Sequence, residues 1–159
     1  MNPEVETYST YIRKQIASVH AVLAGLSDEQ LNWRPPVEGA NSAFVIATHV
    51  FGNARAWVLG IVCGQPVGRD RPAEFASAGS YADLGKAARE LSGEIDEALA
   101  ALDEGVLERR LVPSLELWGE GYPQEISVRQ ALVHVLEHAS MHRGQIQLTR
   151  DLAIRESGS

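Results

Sequence analysis

Residues Ser127–Arg150 have the sequence SVRQALVHVLEHASMHRGQIQLTR, in which His134, His138 and His142 follow one another at four-residue steps. Four residues turn an α-helical side chain by about 400°, so each step drifts by only about 40° and the imidazoles form a slanted stripe. The centre of the apolar arc of this helix lies about 20° from His142, about 60° from His138 and about 100° from His134. We therefore expect His138 and His142 to face the interior and His134 to lie on the flank.

Periodicity and capping residues divide the whole chain into helices. Four long helices are predicted, over residues 2–25, 42–64, 80–105 and 127–152. At each start a serine or asparagine can accept a hydrogen bond from an unpaired backbone N–H, and these caps are Asn2, Asn41 or Ser42, Ser80 and Ser127. A further capping box at Ser27 opens a short turn before Pro35 and Pro36.

Two long connections, residues 64–79 and 106–126, are rich in proline and glycine and are predicted as loops. Within the second, VLERRLV could form an extra turn or a short strand. Connections of this length indicate crossovers rather than simple hairpins. We predict an all-α fold, a four-helix bundle with long crossover connections. One domain is expected over residues 1–153, with a flexible tail at 154–159.

The composition argues against several classes of protein. The 159 residues include 14 Lys plus Arg against 21 Asp plus Glu, a net charge of −7. The basic residues are scattered, so there is no electrostatic footprint for nucleic acid or an anionic membrane. A single cysteine, Cys63, excludes an internal disulfide, and we find neither a secretory signal nor about 18 uninterrupted apolar residues. A cytoplasmic protein without nucleic-acid or membrane partners is expected.

A further histidine, His49 on the predicted second helix, shares its helix face with small and apolar residues and is expected to be buried. Each unpaired imidazole nitrogen in a core costs about 1–3 kcal/mol, and one divalent metal would satisfy His49, His138 and His142 together. The i, i+4 spacing of His138 and His142 is that of a helical metal clamp. The alternative is that each is a core or flank histidine that hydrogen-bonds to backbone or to an acid.

Two familiar metal architectures do not fit the sequence. There is no H-E-x-x-H zincin motif, and no glutamate stands three residues before any of the five histidines, as ferritin-like di-iron bundles require. The predicted second helix carries no carboxylate through Cys63. The metal interpretation is therefore a mononuclear site with three neutral imidazoles and one or more open positions, an arrangement typical of catalytic metals.

Three segments resemble the DinB-like superfamily, also called the YfiT-like family: LSDEQLNWRPP, HVFGNARAWVLG around His49, and HVLEHASMHRGQIQLTRDL. The resemblance spans nearly the whole chain, and the H-x-x-x-H-R-G-Q-I run is its most specific part. It implies a four-helix bundle with long crossovers, often a homodimer. It also implies that a divalent ion, zinc or nickel, is held by His49, His138 and His142.

Relatives in this family include thiol S-transferases and mycothiol-dependent isomerases. The resemblance therefore implies a metal-dependent enzyme of the thiol transferase or hydrolase type, acting on a small molecule with a low-molecular-weight thiol as candidate co-substrate. The alternative is a non-catalytic, metal-stabilised binding or stress-response module, because no inward general base is predicted on the last helix. DNA binding conflicts with the net charge of −7.

Candidate substrate contacts lie on the linkers, where aromatic and charged side chains suit ligand binding. They are Trp33 and Arg34 before the second helix, and Trp118, Glu120 and Tyr122 in the last connection. Arg34 could pair with an anionic substrate or form a surface salt bridge. A tryptophan on either linker could instead anchor that linker against the bundle. The three histidines are predicted as metal ligands, and the catalytic residues are left unassigned.

Overall fold

The computed structural model describes residues 2–103, 105–119 and 121–158. Its helices are α1 (Pro3–Ala21), α2 (Asp28–Asn32), α3 (Ala43–Ala54), α4 (Arg71–Ala76), α5 (Tyr81–Ala100), α6 (Leu115–Trp118) and α7 (Val128–Ser157). A π-helical segment, Arg55–Val62, continues α3, and a 3₁₀ turn spans Val106–Glu108. Strands β1 (Arg110–Leu111) and β2 (Ile126–Ser127) pair antiparallel. The predicted helix bundle is confirmed, formed by α1, α3 with its π-helical extension, α5 and α7.

Side-chain caps set the starts of the four long helices. Each predicted start is confirmed by a hydrogen bond from a backbone N–H to the capping side chain, at Asn2, Ser42, Ser80 and Ser127. At α7, Ser127 Oγ accepts from the Gln130 N–H at 3.1 Å, while Gln130 Oε1 accepts from the Ser127 N–H at 2.8 Å. This reciprocal pair satisfies two donors that the helix itself leaves unpaired.

Three helix ends differ from the sequence prediction. Helix α5 ends at Ala100 instead of near Gly105, which takes a left-handed φ of 82° immediately before the 3₁₀ turn. Helix α1 ends at Ala21, because the next residues form a turn in which Gly25 takes a left-handed φ of 83°. Helix α7 continues to Ser157 instead of ending near Leu152, and Ala153 in this extension is only 1% exposed. The predicted tail at 154–159 is therefore helical as far as Ser157, and Ser159 lies outside the described residues.

The two crossovers carry secondary structure that the loop prediction missed. In the first, α4 is capped by Asp70, which accepts from the Ala73 N–H at 2.9 Å, and Pro72 lies in its first turn. Proline is well tolerated there because the first N–H groups of a helix have no helical partner. The proline that indicated a loop therefore marks a helix start. In the second crossover, VLERRLV supplies both the 3₁₀ turn and β1, so both of its predicted forms occur.

Helix α7 packs against α1 and α3, and its Leu132 and Ile146 are fully buried. The apolar helix at Ala43–Val62 has the length and composition of a membrane span, but 83% of its apolar window is buried inside the bundle, as in the core helix of a globular fold. The contact between α3 and α7 brings their histidines together.

Candidate metal centre

His49, on α3, meets His138 and His142, on successive turns of α7. One ligand atom from each lies within 4.8 Å of the others, and the Nε2 atoms of His49 and His138 are 3.2 Å apart. Two nitrogens bound to one tetrahedral zinc at about 2.0–2.1 Å would be separated by about 3.3 Å. The three histidines could therefore bind a divalent metal ion and leave room for a further ligand.

A buried ion pair from the first crossover contacts His49. The Nδ1 atom of His49 is 3.0 Å from Glu74 Oε2, and the His49 residue is 7% exposed. Arg69 donates from Nε to Glu74 Oε1 at 2.9 Å and from Nη2 to Oε2 at 3.2 Å. Burial raises the pKa of Glu74, but hydrogen bonds with His49 and Arg69 outweigh it and hold that pKa below its usual range. Glu74 is therefore an ionised carboxylate at neutral pH.

The two α7 histidines of the group, His138 and His142, have weaker hydrogen-bond partners than His49. His142 Nδ1 lies 2.8 Å from Oε1 of Gln145, an exposed residue on the next turn. His138 Nδ1 is buried and has no hydrogen-bond partner among the described residues. Burial, followed by repulsion from His142 and His49, lowers the pKa of His138 to about 3.

Burial also lowers the pKa of His142, although its hydrogen bond with Gln145 opposes this. The lowered pKa values favour the neutral imidazole form of both His138 and His142. Neutral imidazole is the form that binds metals.

His134 lies beside the group without joining it. Its ring stacks on Trp57 at 3.7 Å between centroids and lies 5.7 Å from that of His138. Burial lowers the pKa of His134, and the charge of Glu137 partly opposes that effect. His134 is half-buried like His138 and His142 and lines the same cavity, so the flank position expected from helical periodicity is not distinguished by burial; the histidine stands apart because it is not among the three ligand atoms that lie close together.

The histidines open on a cavity of about 490 Å³. Its apolar and aromatic wall consists of Ile46, Trp57, Phe75, Trp118 and Met141. Asn41, Asn53, Arg69, Arg71, His134 and Gln145 add polar groups to the lining. A small molecule fits this volume, and among the described lining residues none is an aspartate or glutamate.

The residues predicted to contact substrate do not all lie at the cavity. Trp118 lines the cavity, with its ring 5.3 Å from that of Trp57. Trp33 and Tyr122 are not among the lining residues, and Tyr122 is 88% exposed. Glu120 lies outside the described residues. Substrate contact by any of these side chains stays a prediction.

Arg34 forms no salt bridge with the described residues, and its contact with an anionic substrate stays a prediction. Its Nη2 donates to the Phe75 carbonyl at 2.8 Å and its Nη1 to Asn41 Oδ1 at 3.4 Å. Phe75 and Asn41 line the cavity whereas Arg34 does not. Arg34 therefore supports the cavity wall from behind.

Sequence reasoning missed Glu74 and Arg69, because the segment that carries them was predicted as a loop. A usable signal was present in Asp70 followed by Pro72, a helix start that places Glu74 in the first turn of α4. The partnership with His49 spans 25 residues of sequence and leaves no local pattern.

Comparison with known proteins agrees with this architecture. A sequence model of the DinB superfamily matches residues 11–146, a range that contains all three histidines. No curated protein matches the chain. Since the match covers most of the sequence, the chain belongs to the DinB superfamily.

Proposed function

We propose that this protein is a metal-dependent transferase that joins a low-molecular-weight thiol to a small electrophile. In this proposal His49, His138 and His142 hold a divalent ion, zinc or nickel. The convergence of these three histidines on one cavity wall carries the proposal. A metal bound there would supply a Lewis acid that lowers the pKa of a thiol or of water.

The cavity lining favours thiol transfer over hydrolysis. A free thiol has a pKa of about 8.5, so little help is needed to form the nucleophilic thiolate near neutral pH. Hydrolysis starts from water, whose pKa is about 15.7, and commonly uses a carboxylate as general base. Among the described lining residues there is no carboxylate. Hydrolase activity is the second enzymatic candidate.

The proposed reaction balances without a redox partner. The thiol loses its proton, its sulfur forms a bond to an electrophilic carbon, and the leaving group departs with the bonding electron pair. The released proton balances the charge of the leaving group. In this reaction Trp57, Phe75 and Trp118 would bind the apolar part of the electrophile and exclude water.

Thiol consumption tests this function. Metal-loaded protein is incubated with cysteine and 1-chloro-2,4-dinitrobenzene, and product formation is followed by absorbance above the uncatalysed rate. We expect catalysis by the wild type and by Glu90→Gln, an exposed substitution on α5, and none by His138→Ala. A metal-loaded wild type that consumes no thiol with any of a panel of thiols and electrophiles would contradict the transferase.

That negative result would favour a non-catalytic, metal-stabilised binding or stress-response module. The absence of a carboxylate among the described lining residues also suits this non-catalytic candidate. Such a module would show a metal-dependent rise in Tm without turnover, because a ligand that binds only the folded state stabilises it.

We also propose a cytoplasmic homodimer. An exposed apolar stripe on α7 supports the dimer and consists of Val133, Met141, Leu148 and Leu152, which are between 40% and 62% exposed. Such stripes commonly mark protein interfaces. Analytical ultracentrifugation of wild type and Leu148→Glu tests this expectation. A dimeric wild type and a more dissociated variant are expected, whereas a monomeric wild type at micromolar concentration would contradict it.

A further inference from the structure

We propose that Glu74, clamped by Arg69, is a positioning residue that holds the His49 imidazole in the tautomer protonated on Nδ1. This tautomer leaves His49 Nε2 unprotonated and directed to the other histidines. Glu74 should thereby raise the affinity of the histidine group for a metal ion, and this effect rests on the metal binding proposed above. The tautomer itself is a property of the metal-free chain.

The hydrogen bonds around Glu74 determine which nitrogen of His49 carries the proton. The two-point ion pair with Arg69 keeps Glu74 ionised, and an ionised carboxylate accepts hydrogen bonds and cannot donate them, so the 3.0 Å contact places a proton on His49 Nδ1. Arg69 Nη2 also lies 3.5 Å from His49 Nδ1, but it already donates to Glu74 Oε2 at 3.2 Å, so the shorter contact with the carboxylate decides the position of the proton. The Nε2 atom is then an acceptor, and it is the nitrogen that lies 3.2 Å from His138 Nε2. A second partner on the remote nitrogen is how proteins commonly orient histidine ligands.

Burial makes this contact strong. The side chains of His49 and Glu74 are 9% and 10% exposed, and that of Arg69 is 4% exposed. Arg69 occupies both carboxylate oxygens in a two-point contact, which fixes the plane of the carboxylate as well as its charge. Glu74 therefore cannot rotate away from His49 without breaking a buried ion pair.

The backbone of α3 makes room for Glu74. A Cβ atom added at Gly52 would lie 2.1 Å from Glu74 Oε1 and 2.7 Å from Glu74 Cδ. Neither approach is compatible with van der Waals contact. The lack of a side chain at Gly52, three residues after His49, is consequently a condition for the carboxylate to reach the imidazole.

The other two histidines lack such a support. His142 relies on the exposed Gln145 of its own helix, and His138 Nδ1 has no hydrogen-bond partner in the described part of the chain. Only the His49 tautomer is set by a charged pair from a different element. The first crossover thus controls the α3 side of the histidine group.

The direct test is the His49 tautomer in metal-free protein, read from two-bond ¹H–¹⁵N correlations of the imidazole nitrogens. We expect proton on Nδ1 in the wild type. In Glu74→Gln the amide can donate to Nδ1, so the proton should move wholly or partly to Nε2. Metal affinity, measured by competition with a chromophoric chelator, should fall about 10–100-fold, as for other partners of metal-binding histidines.

A second variant displaces the carboxylate without removing any charge or ligand. Gly52→Ala places a methyl group where Glu74 lies and should give a similar shift in tautomer and a similar loss of affinity. Its control is Gly93→Ala on α5, where an added Cβ meets nothing within 4 Å. Both variants gain helix propensity, of about 1 kcal/mol. The control thus has the same gain in helix propensity without displacing Glu74, and it should keep the wild-type metal affinity.

The possible results separate this inference from the proposed function. A wild-type His49 protonated on Nε2 would overturn the inference. Folded Glu74→Gln and Gly52→Ala proteins with wild-type tautomer and affinity would also overturn it. If the wild type binds no divalent metal, the proposed function fails, and the tautomer measurement still decides the role of Glu74.

Discussion

Helix α7 and the first crossover both serve the histidine group, but different interactions hold them. On α7 the residues His138 and His142 lie beside the apolar face of the helix, which is anchored in the core by fully buried side chains such as Ile146. In the crossover, Glu74 is held by an ion pair and by the cap of a six-residue helix. Hydrophobic burial is non-directional and gives stability, whereas the polar contacts give orientation.

This difference has a testable consequence. Damage to the core face of α7 should lower the stability of the whole bundle. Damage to the crossover should loosen α4 and weaken the support of His49 while leaving global stability nearly intact, because local unfolding draws on regions with few buried apolar contacts.

The largest expected effect is in the core of α7. Ile146→Ala removes a fully buried side chain and should lower the free energy of unfolding by about 2–5 kcal/mol, measured by denaturant titration. Arg143→Ala is the control because Arg143 is an exposed residue of the same helix, and its cost should stay within about 0.5 kcal/mol. Similar costs for the two substitutions would show that α7 is not anchored as described.

Acidification should destabilise the metal-free protein through its buried histidines. His138 has a folded pKa of about 3, below the unfolded value of 6.5, so the unfolded chain binds more protons between these limits. Stability should be highest above pH 6.5 and decline as the pH falls toward 3. His138→Gln should flatten the decline between pH 6.5 and 5 in denaturant titrations. An unchanged slope would indicate that His138 is protonated in the folded state.

A smaller, local effect is expected at the start of α4. Asp70→Ala removes the cap that accepts from the Ala73 N–H and should cost about 0.5–2 kcal/mol, confined to the crossover. Hydrogen exchange should accelerate at the α4 amides and stay unchanged at the central amides of α7. Equal acceleration in both helices would mean that the two regions unfold as one unit.

The smallest expected effects on stability come from alanine substitutions at two glycines. Gly144→Ala on α7 adds a methyl group that meets nothing within 4 Å, so helix propensity should raise stability by up to about 1 kcal/mol. At Gly60 an added Cβ would lie 2.6 Å from Val67 Cγ2 of the first crossover, and Gly60→Ala should be destabilising. Thermal unfolding of both variants measures this contrast, and a loss of stability in Gly144→Ala would contradict it.

The contrast between a helix with a regular apolar face and a crossover held by long-range polar contacts also explains what the sequence could predict. Periodicity singled out His138 and His142, the two that meet His49, because successive turns of one helix fix their relative angles. It also predicted His134 on the flank, whereas all three imidazoles are half-buried. Capping residues predicted all four long helix starts. Helix ends were less certain, since packing at Ala153 extends α7 beyond the point where its pattern weakens.

The sequence could not identify Glu74 as the partner of His49, and the reason is physical. Nothing local in the sequence indicates that Glu74 and Arg69 form a buried pair, and their approach depends on the space beside Gly52. The small residues Gly52 and Gly60 leave space beside α3 and its π-helical extension. The groups that occupy the space are crossover side chains, from Glu74 at Gly52 and from Val67 and Leu117 at Gly60.

The central claim is that His49, His138 and His142 bind one divalent metal ion, and metal content tests it most directly. Purified wild type, His49→Ala, His142→Ala and His134→Ala would be loaded with zinc or nickel, desalted and measured by inductively coupled plasma mass spectrometry. We predict one ion per chain in the wild type and in His134→Ala, and loss of the ion in His49→Ala and His142→Ala. Wild-type metal content in all three variants would contradict the claim.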